Sequence, residues 1–221
     1  MENTGPQQVV IPVADRRIGL AGELAVPAAA NGLVIFAHGS GSSRLSPRNK
    51  MVARHLFDNG SATLLFDLLT VDEAADRANV FDIPFLAGRV ADAVRWARMT
   101  PKTAALRYGL FGSSTGAAAA LVAAAHVPVG VSAVVSRGGR PDLAADVLPR
   151  VKAATLLIVG GADDVVVDLN QAAFERMTCE KRIEIVPGAT HLFEEPGALE
   201  AVVALAARWF ADHFADREIE T

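Results

Sequence analysis

The five residues Gly112-Ser113-Ser114-Thr115-Gly116 carry the strongest chemical signal in this chain. They follow an apolar run at 108–111 and lead into an alanine-rich stretch at 117–125. G-x-S-x-G between a strand and a helix makes a turn tight enough to lift one hydroxyl clear of a sheet. Its glycines avoid clashes with the neighbouring strand and helix. Ser114 has glycine two residues away on both sides, whereas Ser113 would be flanked by Phe111 and Thr115. The spacing selects Ser114 as the nucleophile. The competing reading is a helix N-cap serine.

A serine hydroxyl is a weak nucleophile until a base takes its proton, and histidine titrates in the right range. With a nucleophile on such an elbow the expected chain order is Ser, then Asp or Glu, then His. That order leaves His126, His191 and His213. His126 ends the helix that starts at Ser114, about 18 Å along it. His213 lies near the end of the last helical segment, where a polar residue is usually solvated. His191 sits in Pro187-Gly188-Ala189-Thr190-His191, a loop between the strand-like run 182–186 and the final helix. It can lie over a sheet, and it is the chosen base. The acid should also stand at a strand end, where 155–159 runs into Gly160-Gly161-Ala162-Asp163-Asp164. Neighbouring side chains of an extended chain point to opposite sides. Asp163 is therefore read as the acid and Asp164 as the cap of the next helix, although spacing alone barely separates them.

Two more strand ends carry chemistry. The run 33–37 ends in His38-Gly39-Ser40-Gly41-Ser42-Ser43, which can offer backbone N–H groups where negative charge develops. The expected oxyanion donors are the N–H groups of Thr115 and Ser40. His38 is expected to hold this turn structurally. The run 133–135 is followed by Ser136-Arg137-Gly138-Gly139-Arg140, two arginines that could clamp a carboxylate or phosphate on a substrate. Arg137 is taken as substrate-binding; the alternative is a solvated loop with Arg137 paired to a local Asp.

These residues need a frame. Short apolar runs at 33–37, 63–66, 108–111, 133–135 and 155–159 suit strands buried on both faces. Segments with helical spacing lie between them at 51–58, 85–99, 117–125 and 171–177, and 199–214 closes the chain. The last shows an apolar stripe of Leu199, Val202, Val203, Ala206, Trp209 and Phe210. Residues 8–13 and 19–27 flank Ala14-Asp15-Arg16-Arg17 and read as a strand pair. The alternation predicts one α/β domain with a mostly parallel sheet, whose ligands lie beyond the carboxyl ends of the strands. After Ser136 no long insertion separates the strands, so no large lid is expected. The segment 71–80 could form part of one wall.

The composition narrows the classes. Of 221 residues, 51% are hydrophobic and 21% charged, which excludes intrinsic disorder. A net charge of −4 without a basic cluster argues against nucleic-acid binding. One cysteine, Cys179, allows neither an intrachain disulfide nor a thiolate metal cluster. No basic n-region or apolar h-region opens the chain, and no stretch is long enough for a bilayer, so a cytoplasmic protein without a membrane partner is expected. A homodimer remains an option.

Ser114, Asp163 and His191, with the His38-Gly39-Ser40-Gly41 turn, resemble the α/β-hydrolase superfamily and, within it, the small dienelactone-hydrolase-like group. The resemblance covers nearly the whole chain, through Gly-Gly-Ala-Asp to Gly-Ala-Thr-His. It implies an eight-stranded, mostly parallel sheet flanked by helices, and acyl-ester hydrolysis with no cofactor and no metal. Its Gly-Gly-x-Asp pattern favours Asp163. Dienelactone hydrolases use a cysteine nucleophile where this chain has Ser114, and Cys179 cannot replace it. The expectation is a serine carboxylesterase for small soluble esters. A peptidase or thioesterase would use the same triad, and a silent hydrolase-fold binding protein would typically have lost one member of it. A haloalkane dehalogenase needs an aspartate nucleophile, which Ser114 argues against.

Overall fold

The computed structural model describes residues 5–14, 18–127 and 130–215. The rest of the predicted first turn, Asp15, Arg16 and Arg17, lies outside them. Among the described residues eight strands form one sheet: β1 (Gln7–Pro12), β2 (Gly19–Ala25), β3 (Gly32–Ala37), β4 (Ala62–Phe66), β5 (Arg107–Ser113), β6 (Val131–Arg137), β7 (Ala154–Gly160) and β8 (Lys181–Val186). Their order across the sheet is β1-β2-β4-β3-β5-β6-β7-β8. The β1–β2 and β2–β4 pairs are antiparallel and the other five are parallel. The expected eight-stranded, mostly parallel sheet is what forms.

Helices α1 (Pro47–Asp58), α2 (Val71–Ala75), α3 (Arg77–Phe81), α4 (Ile83–Met99), α5 (Thr115–His126), α6 (Asp164–Arg176) and α7 (Ala198–Phe214) connect the strands, with a 3-10 segment at Pro141–Arg150. The period-2 alternation of β3 divides its side chains between two cores. Leu33, Ile35 and Ala37 join the core under α4, α5 and the 3-10 segment. Val34 and Phe36 join the one under α1 and α7. The apolar stripe of α7 is core, with Val202, Val203, Ala206 and Phe210 buried. On the opposite face Ala117, Ala118, Ala119 and Ala120 are fully buried, small enough to let α5 press against its neighbours.

Several boundaries differ from expectation. β5 and β6 run on through Ser113 and Arg137, because these two residues pair with each other across the ladder. α1 begins at Pro47, four residues early, with Ser46 as N-cap and proline in the first turn. α6 begins at Asp164, taking in a valine run of low helix propensity because Val166 is buried there. The segment 71–80 holds α2, signalled by a capping box between Thr70 and Glu73, and all of α3 but its last residue. Glu73 also pairs with buried Arg89 of α4 at 2.7 Å.

Candidate active site

The site is built where β3, β5, β6 and β7 end. Ser114 has φ 50° and ψ −123°, a conformation that L side chains rarely adopt. The glycines of the motif explain how the turn is held. A Cβ on Gly116 would fall less than 3.0 Å from the carbonyl oxygens of Ala37 and His38, and one on Gly112 would lie 2.7 Å from Ala117 N. α5 can therefore start hard against the end of β3. Ser114 stands in the N-cap position of α5, but its side chain makes no cap hydrogen bond. The capping alternative fails, and the hydroxyl is left for the cavity. Ser113 is buried in β5 with its Oγ 3.4 Å from Asn49 Oδ1.

His191 Nδ1 lies 2.8 Å from Asp163 Oδ2. Both are partly exposed, with side-chain exposures of 39% and 21%. Asp163 occupies the N-cap position of α6 yet makes no cap bond. Its carboxylate is turned on His191 instead. This corrects the expected division of labour: Asp164 is not the cap but the first residue of the helix. The reason is geometric, since Asp163 N–H donates to Gly160 O and the chain has already left the extended path. Thr190 N and Oγ1 donate to Glu195 at 3.1 and 2.6 Å, fastening the histidine loop and holding the Glu195 carboxyl below its ordinary pKa. Two residues after His191, Phe193 has φ 56° and is buried, so the loop is pinned by a strained backbone over a packed ring.

The His38 turn behaves as expected. Its Nδ1 lies 3.0 Å from Gly39 O, and its Nε2 accepts from Leu68 N–H at 3.0 Å, which assigns the proton to Nδ1. Burial lowers the His38 pKa against the opposing effects of that carbonyl and Asp67. The Thr115 N–H is the first of α5, where backbone donors have no acceptor within the helix. The Ser40 N–H, however, donates to Thr115 Oγ1 at 3.0 Å. It is near the elbow but occupied in the resting protein.

Ser40, Ser114, Arg137 and His191 line one cavity of ≈ 580 Å³, closed on another side by the first turn of α1. A second cavity of ≈ 240 Å³ lies across the Gly39–Ser43 turn, where Val71, Ala74 and Val80 supply the wall expected of that segment. The two arginines at the end of β6 part company. Arg140 is bidentate on Asp142, at 2.9 and 2.8 Å. Arg137 is 7% exposed, and its Nε and Nη1 have no hydrogen-bond partner. The alternative of Arg137 paired to a local Asp does not form: the nearby Asp142 holds Arg140 instead. Arg48, which sequence reasoning passed over, also lines the cavity and pairs with Glu194 at 2.8 Å. Its only sequence signal was its place beside Pro47 at a helix start. Of the other histidines, His126 bonds back to Val122 O, and His213 bonds to Trp209 O and Glu180. Among the described residues no group of three or more His, Cys, Asp or Glu could hold a metal ion. No helix among them is long and apolar enough to cross a membrane.

A central parallel sheet, a strained serine elbow and a carboxylate-held histidine after the last strand define an α/β hydrolase. A sequence model of the dienelactone hydrolase family matches residues 20–214, and the chain belongs to that family. The crystal structure of dienelactone hydrolase from Anabaena variabilis is 53% identical with a TM-score of 0.90, covering 94% of this chain and 98% of that one. A Xanthomonas campestris α/β serine hydrolase without lid shares the fold at 20% identity and TM-score 0.77, over 96% of each chain. A Mycobacterium tuberculosis protein named as a phosphoribosyl transferase is 59% identical over 196 residues. Those residues are 89% of this chain but 44% of the relative, so the chain spans less than half of that protein's length.

Proposed function

We propose that this hydrolase cleaves small, soluble carboxylic esters through an acyl-enzyme on Ser114. The observation that carries the reading is the shared cavity: an uncapped serine on a strained turn, and a histidine already oriented by a carboxylate at 2.8 Å. His191 takes the Ser114 proton as Oγ attacks the ester carbonyl, and Asp163 fixes the proton on Nδ1 and stabilises the imidazolium. The oxyanion takes the Thr115 N–H, at the positive end of α5, and the Ser40 N–H, which Thr115 Oγ1 must yield or share. His191 returns the proton to the leaving alcohol. Water then attacks the acyl carbon by the same route and releases the acid. Arg137 is the polar residue that meets the remainder of the substrate.

The test is labelling with a fluorophosphonate probe and peptide mapping, alongside hydrolysis of p-nitrophenyl acetate. Adduct is expected on Ser114 in the wild type, with loss of both adduct and turnover in Ser114→Ala. Folded wild-type protein that takes no label at neutral pH would refute the reading and favour a binding role.

A further inference from the structure

Arg137 raises a question that ester hydrolysis alone does not answer. A buried guanidinium with unpartnered nitrogens is costly, and buried polar groups are almost always satisfied. This one is 7% exposed, with Nε and Nη1 unpartnered, and it makes no ion pair among the described residues. The Phe193 ring centroid lies 6.0 Å from its Cζ. The position is rigidly set: Arg137 O accepts from Ser114 N–H at 3.4 Å, and Gly138 N donates to Ile158 O at 2.8 Å. The side chain is therefore built into the same frame as the nucleophile.

The cavity wall contains Arg137, Arg48 and His191 but no aspartate or glutamate, in a chain of net charge −4. The two guanidinium groups are near enough for Arg48 to depress Arg137, whose pKa burial and that charge bring down to about 10. Arg137 is thus still a cation at neutral pH. Ser46 and Pro47, the cap and first residue of α1, also face the cavity, bringing the positive end of a 12-residue helix to it. Ser46 Oγ accepts from Asn49 N–H, which leaves the Arg48 N–H of that first turn without an acceptor inside the helix.

We propose that this side of the cavity is a phosphate subsite: Arg137, Arg48 and the first turn of α1 hold a phosphate group carried by the ester, while its carbonyl lies at Ser114. The inference rests on the ester-hydrolase reading and narrows it to phosphate-bearing carboxylic esters. A planar carboxylate is satisfied by one guanidinium fork. Here the end of β6, the first turn of α1 and the Arg48 side chain line one cavity, a set of donors numerous enough for the three terminal oxygens of a tetrahedral phosphate. Arg137 supplies uncompensated charge, and Arg48 can turn to the ligand from its half-exposed pairing with Glu194. The phosphate is a handle only. The acyl C–O bond breaks, water supplies hydroxide to the acyl carbon and a proton to the alcohol, and the phosphate ester leaves intact.

The experiment follows the rate of Ser114 labelling by a fluorophosphonate at increasing inorganic phosphate, at constant ionic strength, with acetate as the planar control. Phosphate should slow labelling saturably, and acetate should act only at much higher concentration. Arg137→Gln should raise the phosphate concentration needed by roughly 10–100-fold, the worth of a charged hydrogen bond. Arg48→Gln should raise it less and covers the case in which Arg137→Gln does not fold. Calorimetric titration of Ser114→Ala with phosphate reads the same site without the nucleophile. If Ser114 takes no label, the ester reading falls while calorimetry still decides the subsite. Phosphate that binds neither way, or that acts equally on wild type and both arginine variants, overturns the proposal. Acetate protecting as well as phosphate overturns it too.

Discussion

Changing Gly116 to alanine and Gly88 to alanine adds the same single methyl group to two helices, with opposite expected outcomes. Gly88 lies inside α4, and a Cβ there would meet nothing within 4 Å. Removing a helix-interior glycine from an open surface stabilises by about 0.5–1 kcal/mol. For a chain of this size that raises the melting temperature by about 1–4 °C. At Gly116 the new Cβ would sit less than 3.0 Å from the Ala37 and His38 carbonyl oxygens. Those atoms are backbone, and Ala37 is bound into the β3–β5 ladder, so no rotamer change relieves them. Overpacking of this kind costs typically about 1–3 kcal/mol, and here the upper end applies. The melting temperature should fall by about 6–12 °C. The displaced backbone leads directly into Ser40, so turnover should also fall, by about 10²-fold if one oxyanion donor is lost. Thermal unfolding and p-nitrophenyl acetate hydrolysis read both effects. A Gly116→Ala protein that melts and turns over like wild type would refute the account of the elbow, and a destabilised Gly88→Ala would refute the reasoning about space.

Asp163→Asn should leave substrate binding nearly intact and lower kcat by about 10⁴, because the amide orients the wrong imidazole tautomer; steady-state kinetics showing less than a tenfold change would argue that the pair is only structural. Ser113→Ala should still be labelled at Ser114, since its hydroxyl faces Asn49 in the core, and peptide mapping decides this. His38 has its pKa lowered chiefly by burial, so the unfolded chain takes up its proton more readily than the folded one. Its contribution is whole above the ordinary value of about 6.5 and is lost as pH falls below it towards the lowered folded value. Denaturant titrations should show His38→Gln with a flatter stability profile over that interval, and identical slopes would refute the assignment. Arg140→Gln removes a partly exposed pair with Asp142 and should cost no more than about 1 kcal/mol by the same titration.

Much of this architecture is written locally. A strand buried on both faces must be apolar without alternation, so the central runs announced themselves, and 33–37 misses β3 by one residue. Ser114 was separable from Ser113 because only a glycine fits at 112 and 116, whichever fold surrounds them. His191 and Asp163 were placed by the rule that loops after parallel strands meet on one edge of the sheet. The short helices α2 and α3 were missed although Thr70 and Glu73 carry a capping box, because a segment dominated by polar residues and alanine shows too little periodicity to outweigh a loop.

Other decisions belong to the folded chain, since they turn on which groups meet from distant parts of it. Arg137 and Arg140 are alike in sequence, three residues apart beyond one strand. Asp142 captures Arg140 from two residues away, whereas Arg137 is carried into the interior by its pairing with Ser113 and left without a counter-ion. Arg48 comes from another helix altogether and meets it across the cavity. The state of the Ser40 N–H likewise depends on Thr115, 75 residues away. Residue type and short spacing decide which side chains are capable of chemistry, because sterics and hydrophobic burial act locally along the chain. Whether a charge is paired, a donor free or a cavity positive depends on the low-dielectric neighbourhood that only long-range packing creates.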